Sequence, residues 1–324
     1  MRLNRAGIVV IGRNEGMRLV ESLTAAKEFG CPIIYVDSRS SDGSVNRVNE
    51  MNINVLILDQ DKPINASRAR NEGYKYLLEN NPDLEFIHFI DGDTVFDPMW
   101  NNIAIDILSI NPSLAVICCV LKEKNRHCSI FARLLEIEWR LMTKCNGKCG
   151  GNATIRVSAL LSVGGYDEDL IAGADPDLYR RISNKGFHLK VVNKELAEHD
   201  ARMLKLSQWW TRGVKSGFGY SDIINRYNFT GGMRSAIIWG GIIPFIFILS
   251  SVNYGFLGWV VLLLYPMQAT RIYFSKEISC LDKGDKYFYC CNILLSKFPQ
   301  LYGAFKYLMF KTLKVNKKAI QYKD

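Results

Sequence analysis

The apolar positions of this chain follow two rhythms up to about residue 230 and a third beyond it. Short runs of apolar, largely β-branched residues occupy positions 7–11, 32–36, 55–58 and 86–90, and each closes on a Gly or an Asp. Runs of four or five apolar residues with such borders predict buried strands. Between them lie helical patterns, one carrying Leu19, Leu23 and Phe29 ahead of Gly30, another carrying Ala66, Ala69, Tyr74 and Leu77. Strands alternating with helices at this pitch predict an α/β fold, a mainly parallel sheet flanked by helices. Ligands of such sheets bind outside the carboxyl ends of the strands, so chemistry is sought there.

The third rhythm is an absence of charge. From Ser235 to Thr270 there is no charged residue and no histidine. The stretch divides into 236–252 and 255–269 about the polar pair Asn253-Tyr254. A bilayer span takes about 20 apolar residues. Each half is short by that measure, which leaves two readings, a tight hairpin of two spans or a re-entrant hairpin. Both keep Arg234, Arg271 and Lys276 on one side, as the cytoplasmic bias of positive charge requires. A pair of buried core helices is the soluble alternative. Beyond it, Lys286, Tyr287, Lys297, Phe298, Phe305, Lys306, Phe310 and Lys311 mix basic and aromatic residues. That mixture reads as an interfacial helix on anionic membrane lipid, against the plainer reading of a solvated face. The expected organisation is an α/β domain over 1–205, an interfacial helical linker over 206–232, a membrane hairpin over 233–275 and a basic amphipathic tail over 276–324.

Composition narrows the partners. The net charge of +9, from 41 Lys and Arg against 32 Asp and Glu, suits nucleic acid, an anionic membrane or a phosphate-bearing ligand. No Cys/His finger spacing, basic zipper or aromatic RNA-binding signature accompanies it, so nucleic acid is set aside. The nine cysteines are odd in number and scattered through apolar runs, which fits reduced thiols in the cytosol. Cys145 and Cys149 in KCNGKCG lack the second pair that a structural zinc needs, and a glycine-rich loop is the simpler reading. The apolar run at the N-terminus is too short for a signal-peptide core of about 7–15 residues, which keeps the first domain cytoplasmic.

The strongest chemical signal is FIHFIDGDTVF, where an apolar strand runs into Asp91-Gly92-Asp93. Two carboxylates one residue apart at the end of a buried strand are costly to ionise together without a counter-charge. A hard divalent cation such as Mg²⁺ supplies it, typically with one or two carboxylates and substrate phosphate oxygens as ligands. A surface turn rich in Asp and Gly is the plain alternative. The first strand runs into Gly12-Arg13-Asn14-Glu15 and the second into Asp37-Ser38-Arg39-Ser40-Ser41-Asp42-Gly43-Ser44. Both put polar groups where a ligand is expected, although Asp42 or Ser44 also suits a helix N-cap. No G-x-G-x-x-G follows the first strand and no P-loop occurs, which argues against a dinucleotide dehydrogenase and a P-loop NTPase.

GIVVIGRNEG, VDSRSSDGS, ASRARNEG, FIDGDT, GGNATIRVSALLSVGGYDE and GADPDLYRR follow one another in this order. In order and approximate spacing they resemble family 2 glycosyltransferases with the GT-A fold, over about residues 7–220. The likeness extends to bacterial exopolysaccharide and lipopolysaccharide transferases with a C-terminal membrane segment. It implies an inverting transfer of sugar from a nucleotide-sugar donor, UDP-linked by default, to a lipid-linked or surface-glycan hydroxyl. It implies Mg²⁺ or Mn²⁺ as cofactor and the inner membrane as location. It points to Glu15, Asp37 and Arg70 for the nucleotide, with Arg68 as a surface neighbour, and to Gly151 beside the substrate. Asp93 would bind metal directly and Asp91 would touch ribose or metal. Asp175 matches the family's catalytic base, although Ala174 stands where the family has Glu; Asp177 is the competing carboxylate. Gln208 and Arg212 approximate the Q-x-x-R-W of processive members with one extra residue and no final Trp, so the W-W-x-R variant fits better. Arg212 is then expected to clamp the leaving diphosphate. Trp209 and Trp210 suit sugar stacking or the bilayer interface equally. His199 is expected either at the metal or phosphate or as a structural residue.

Overall fold

The computed structural model describes residues 5–145, 148–170, 172–227 and 231–313. The last part of the expected tail, 314–324, and two residues of the KCNGKCG loop lie outside them.

The four predicted strands are β1 (Ala6–Gly12), β2 (Ile33–Asp37), β3 (Asn54–Ile57) and β4 (Phe86–Asp91). Four more complete the sheet: β5 (Thr94–Phe96), β6 (Leu114–Glu123), β7 (Ala153–Arg156) and β8 (His188–His199). The order is β3-β2-β1-β4-β7-β6-β8-β5. β3, β2, β1 and β4 are mutually parallel, β6 and β8 run parallel to each other, and β7 and β5 are antiparallel to their neighbours. The sheet is therefore mainly parallel, with its reversals confined to one half. Register aligns the ends that matter. Gly12 pairs with Asp37, Ile11 with Asp91, and Glu123 with His199.

Successive side chains of a strand face opposite ways, and β1 shows the consequence. Val9 and Ile11 enter one core with Ala69, Tyr74 and Leu77, which come from α3 (Ala66–Asn80). Ile8 and Val10 enter the other with Leu19 and Leu23 from α1 (Met17–Lys27) and Trp100 and Leu108 from α4 (Met99–Ile110). Both sheet faces are thus covered, as parallel sheets require. The helices α2 (Ser44–Glu50), α5 (Ile130–Arg140), α6 (Val157–Ser162) and α7 (Ala174–Asn184) complete the domain.

The C-terminal part is helical: α8 (Leu206–Tyr227), α9 (Gly231–Ile237), α10 (Ile243–Tyr254), α11 (Leu264–Tyr273), α12 (Lys283–Leu295) and α13 (Lys297–Leu313). The apolar stretch Gly232–Tyr273 reverses at Gly255, whose φ is 58° and ψ −130°. Its arms then pair. Phe247 meets Trp259 edge-on at 5.5 Å between ring centroids, and the Tyr265 hydroxyl donates to the Trp239 carbonyl at 2.6 Å. The fold is a helical hairpin with both ends at its base. Only 6% of its most apolar window is buried, so the pair does not form a buried core within the described residues.

The hairpin stands on a platform. α13 packs along α8 closely enough that a Cβ on Gly303 would lie 2.0 Å from the Val214 carbonyl oxygen. A Cβ on Gly217 would lie 1.8 Å from that of Gln300, so glycine is required on both helices. The outer face of α13 carries Phe298, Tyr302, Phe305, Met309 and Leu313, all exposed and spaced three or four apart. α12 packs on α5 around Ile137, Leu141, Ile278, Leu281 and Cys290. Seven cysteines are free and Cys280 is disulfide-bonded, an exception to the reduced state expected throughout.

Candidate active site

The carboxyl ends of β1, β2 and β4 deliver Glu15, Asp37 and Asp91 side by side. Asp37 is fully buried and turned inward. Its Oδ1 accepts from the Tyr35 and Ser40 hydroxyls at 2.8 and 2.6 Å, and its Oδ2 accepts from the Ser40 amide at 2.7 Å. Its work within the protein is to shape the loop after β2. Glu15 is buried and pairs with Arg18 at 2.5 Å. Arg18 in turn donates to the Asp200 carbonyl at 2.6 Å and stands 3.9 Å from Asp93.

The centre of the site is Arg70. α3 carries it under the end of β4, where its Nη2 donates to Asp91 Oδ1 at 2.8 Å and its Nη1 lies 3.6 Å from Asp175 Oδ1. The guanidinium also lies 5.3 Å from the centre of the Tyr166 ring. Burial alone would lower its pKa, but Asp175 and Asp91 more than offset this, so it stays charged. Gly151 makes room for the arrangement. A Cβ there would fall 2.4 Å from Arg70 Nη2 and 3.3 Å from Asp175 Oδ2.

Asp175 sits in the first turn of α7, a quarter of its side chain exposed. Its pKa is raised by burial and by Asp91, against the opposing pull of Arg70. A carboxylate held above its ordinary range is a better proton acceptor. Asp177, two residues on, is buried, and Arg181 binds its Oδ2 through Nε at 2.9 Å. The same arginine donates to the Val163 and Gly165 carbonyls, both at 2.8 Å. Asp177 thus ties α7 to the preceding loop, while Asp175 faces Arg70.

Asp93 lies just beyond the end of β4 and His199 ends β8. Asp93 Oδ1 is 3.2 Å from His199 Nε2, and the far ring nitrogen, Nδ1, is 3.5 Å from the buried Glu123. Trp139 of α5 meets the imidazole edge-on at 4.3 Å. Burial works against protonation of His199, but Glu123, Asp93 and Asp91 outweigh it, and the ring titrates above its ordinary range. In the ion pairs of the described residues, five acidic side chains, Glu15, Asp91, Asp93, Glu123 and Asp175, meet the guanidiniums of Arg18 and Arg70 and this imidazole. An imidazole and a carboxylate 3.2 Å apart, amid surplus negative charge, form a donor pair suited to a divalent cation. Among the described residues no three His, Cys, Asp or Glu side chains form a complete protein cage.

The structure brings Arg70, Asp91, Gly151 and Asp175 together, and Asp93 with His199. It does not bring Arg212 to them: from α8, Arg212 donates to Glu138 Oε2 of α5 at 3.1 Å. Glu138 also accepts from Asn292, which accepts from Trp209 Nε1, so one Trp of the pair joins α8 to α12 and α5. A cavity of about 190 Å³ lined by Glu138, Leu141, Met142, Lys148 and Tyr289 opens where the platform meets the sheet domain. Arg68 is a correction. It is buried rather than a surface neighbour, and it pins the loop after β3 by donating to the Asp59 carbonyl at 3.1 Å and the Asp59 carboxylate at 2.9 Å.

Two site residues had no assigned role in the sequence. Asn152 accepts from the Asp91 amide at 2.8 Å and donates to Asp91 Oδ2 at 3.2 Å, which orients that carboxylate. Glu123 closes the apolar run LAVICCVLKE, and an acid at the end of a buried strand is the same signal that marked Asp91.

Residues 8–160 match the family model described as Glycosyl transferase family 2. The chain carries a family 2 glycosyltransferase domain. The likeness of fold extends past that domain. A mannosyltransferase from Pyrobaculum calidifontis, PcManGT, solved with GDP-Man and Mn²⁺, superposes with a TM-score of 0.63 at 14% identity, covering 95% of this chain and 88% of that one. A mycobacterial protein aligns with a TM-score of 0.50 at 16% identity, over 69% of this chain and 76% of that one. Residues 1–349 of S. aureus TarS align at 0.47 and 14% identity, over 97% and 93%. No curated protein sequence matches the transferase.

Proposed function

We propose that this transferase is inverting and divalent-cation-dependent. It moves a sugar from a nucleotide-sugar donor to a hydroxyl of a lipid-linked or surface-glycan acceptor, in polysaccharide biosynthesis. The observation that carries the reading is Asp175 facing Asp91 across Arg70, with Gly151 holding the space open. Asp175 accepts the proton of the acceptor hydroxyl as its oxygen bonds to the anomeric carbon. The bond to the diphosphate breaks on the opposite face, and a single displacement of this kind inverts the centre. Arg70 keeps Asp175 placed beside Asp91, and Asn152 fixes the Asp91 carboxylate toward ribose or cation. Asp93 and His199 would hold Mg²⁺ or Mn²⁺, with Asp91 beside them; when bound, such an ion neutralises charge on the diphosphate leaving group. Glu15 and the loop shaped by Asp37 line the nucleotide side. Arg212 reaches a diphosphate only by exchanging Glu138 for it.

The hairpin and the outer face of α13 support a membrane location. The hairpin is uncharged and leaves Phe256, Leu257, Trp259 and Val260 exposed at its turn. The aromatic stripe of α13, flanked by Lys306 and Lys311, suits anionic lipid. We place the catalytic domain on the cytoplasmic side of the cell membrane, because Arg234, Arg271 and Lys276 gather at the hairpin's base.

Nucleotide release by detergent-solubilised protein tests the reading, across UDP-, GDP- and dTDP-sugars with Mg²⁺ or Mn²⁺ and an acceptor lipid extract. A UDP-sugar is the first candidate, and the GDP-Man in the Pyrobaculum mannosyltransferase keeps GDP donors in the panel. Release from one donor, abolished by chelator and by Asp93→Asn, is the expected result. Absence of both release and donor binding across the panel would end the proposal.

A further inference from the structure

Glu123 is buried at the end of β6, and among the described residues its sole ion-pair partner is His199. Among the described residues no arginine or lysine makes an ion pair with it. Arg126, three residues on, is taken by Glu136 and by Asp285. Lys124, its neighbour in sequence, reaches out to Glu21 at 2.6 Å. A buried carboxylate left without a cation is costly, so its retention calls for a reason.

The geometry supplies one. β6 and β8 pair with Glu123 opposite His199, and the Lys124 amide donates to the His199 carbonyl at 2.9 Å. Glu123 Oε2 and His199 Nδ1 are both buried without a completed hydrogen bond, and they face each other at 3.5 Å. The other carboxylate oxygen accepts from the Ala201 amide at 3.2 Å, which fixes Glu123 against the chain leaving His199. Trp139 limits the tilt of the ring, and Asp93 lies on the Nε2 side. A closure of about 0.6 Å from the present 3.5 Å makes an Nδ1–H···Oε2 hydrogen bond of ordinary length, about 2.9 Å.

We infer that Glu123 is a positioning residue for the cation site: by accepting the Nδ1 proton of His199 it fixes the tautomer that turns the Nε2 lone pair toward a divalent cation shared with Asp93. This rests on the proposed role of Asp93 and His199. Carboxylates that orient a ligating imidazole in this way typically contribute about 10–100-fold to metal affinity.

A structural role for the same carboxylate, pinning Ala201, predicts something different, and direct Mn²⁺ binding separates the two. Mn²⁺ would be titrated by the EPR signal of the free ion, alone and with UDP or GDP, on the full-length protein. Glu123→Gln keeps the shape and the contact to Ala201. It is expected to weaken Mn²⁺ binding by about 10–100-fold while leaving the melting temperature in EDTA unchanged or higher. In a His199→Gln background the same substitution should add nothing, because Glu123 acts through the imidazole. If Asp93→Asn leaves Mn²⁺ binding unchanged, the cation reading itself is wrong. If Asp93→Asn weakens binding but Glu123→Gln does not, only the inference about Glu123 falls. Equal losses from Glu123→Gln with and without His199 would also overturn it, and so would a lower melting temperature with unchanged Mn²⁺ affinity.

Discussion

Arg70 and Arg126 each stand between two carboxylates, and the two clusters differ in what surrounds them. Arg70 meets Asp91 and Asp175, and near it lie further acids with Arg18 as the next guanidinium. Arg126 meets Glu136 and Asp285, and there Arg133 and Arg140 join it. The first cluster has too little positive charge and opens to solvent through Asp175 and Asp91. The second has three guanidiniums for two carboxylates, and its central Asp285 has no exposure at all. A surplus of acid beside an opening recruits a cation and a phosphorylated ligand. A closed, overcompensated acid holds two parts of a chain together, here α12 of the platform on α5 of the sheet domain.

The largest effect expected from breaking this contrast is at Asp175. Asp175→Asn should lower kcat by about 10²–10⁴-fold, the usual worth of a general base, with donor affinity retained. Stopped-assay turnover beside donor titration by fluorescence separates the two quantities. Near-normal transfer by this variant would remove Asp175 from the mechanism and bring Asp177 forward.

Next comes Asp285. Removing one partner of a buried ionic cluster typically costs about 3–5 kcal/mol because the remaining charges stay buried. Asp285→Asn strands Arg133 and leaves Arg126 with Glu136 alone, so the platform should loosen from α5. Thermal unfolding in detergent and limited trypsin cleavage around 276–284 would show it. Donor binding, which sits on the other cluster, should survive in whatever protein remains folded. A variant as stable as the wild type would mean that α12 is held by the apolar contacts around Ile137 and Leu281 alone.

Gly151→Ala ranks third. The added methyl would collide with Arg70 and Asp175, and overpacking a close-fitted site costs about 1–3 kcal/mol. If Arg70 moves to relieve the clash, turnover should fall well below wild type while the fold persists. The matching control is Gly164→Ala, where a Cβ would meet nothing within 4 Å, although the positive φ of 73° adds strain there. Loss of turnover in both variants, or in neither, would show that the space at Gly151 is not what holds Arg70 and Asp175 in place.

These clusters also mark how far the sequence could be read. The parallel half of the sheet was legible because its strands are short, largely apolar runs closed by Gly or Asp, and the ends carry the site. The reversed half was harder. β7 is four residues long, and β8 alternates irregularly because it is bulged against β6 and largely exposed. Asp91, Asp93 and Asp175 were legible as carboxylates at the right ends. The partition between Asp175 and Asp177 was not, because helical spacing alone cannot say which acid meets Arg181. Arg68 and Arg70, two residues apart on one helix, are both buried for different reasons that only packing separates. The Arg126–Asp285 cluster joins residues 159 positions apart, and no local pattern announces it.

The smallest effects are in pH dependence, and they bear most directly on the comparison because the two central aspartates are shifted in opposite directions. Asp175 has a raised pKa, so relative to the unfolded chain it favours folding only at low pH. That contribution is fully present below the ordinary aspartate value of about 3.9 and is lost as pH rises through the raised folded value. At neutral pH the ionised group is a burden, and Asp175→Asn should melt no lower than wild type. The acid limb of kcat/KM should accordingly lie above the range of an ordinary aspartate. Asp285 is the reverse. Burial raises its pKa, but Arg126 and Arg133 overcome this and hold it low. Its contribution is complete above the unfolded value and disappears only as pH falls through the lower folded one. The gap between wild type and Asp285→Asn should therefore be full at neutral pH and close in strong acid. Melting curves of the three proteins between pH 3 and 8 would decide it. A neutral-pH loss for Asp175→Asn, or an Asp285→Asn gap that widens in acid, would mean that the charge balances of the two clusters have been assigned the wrong way round.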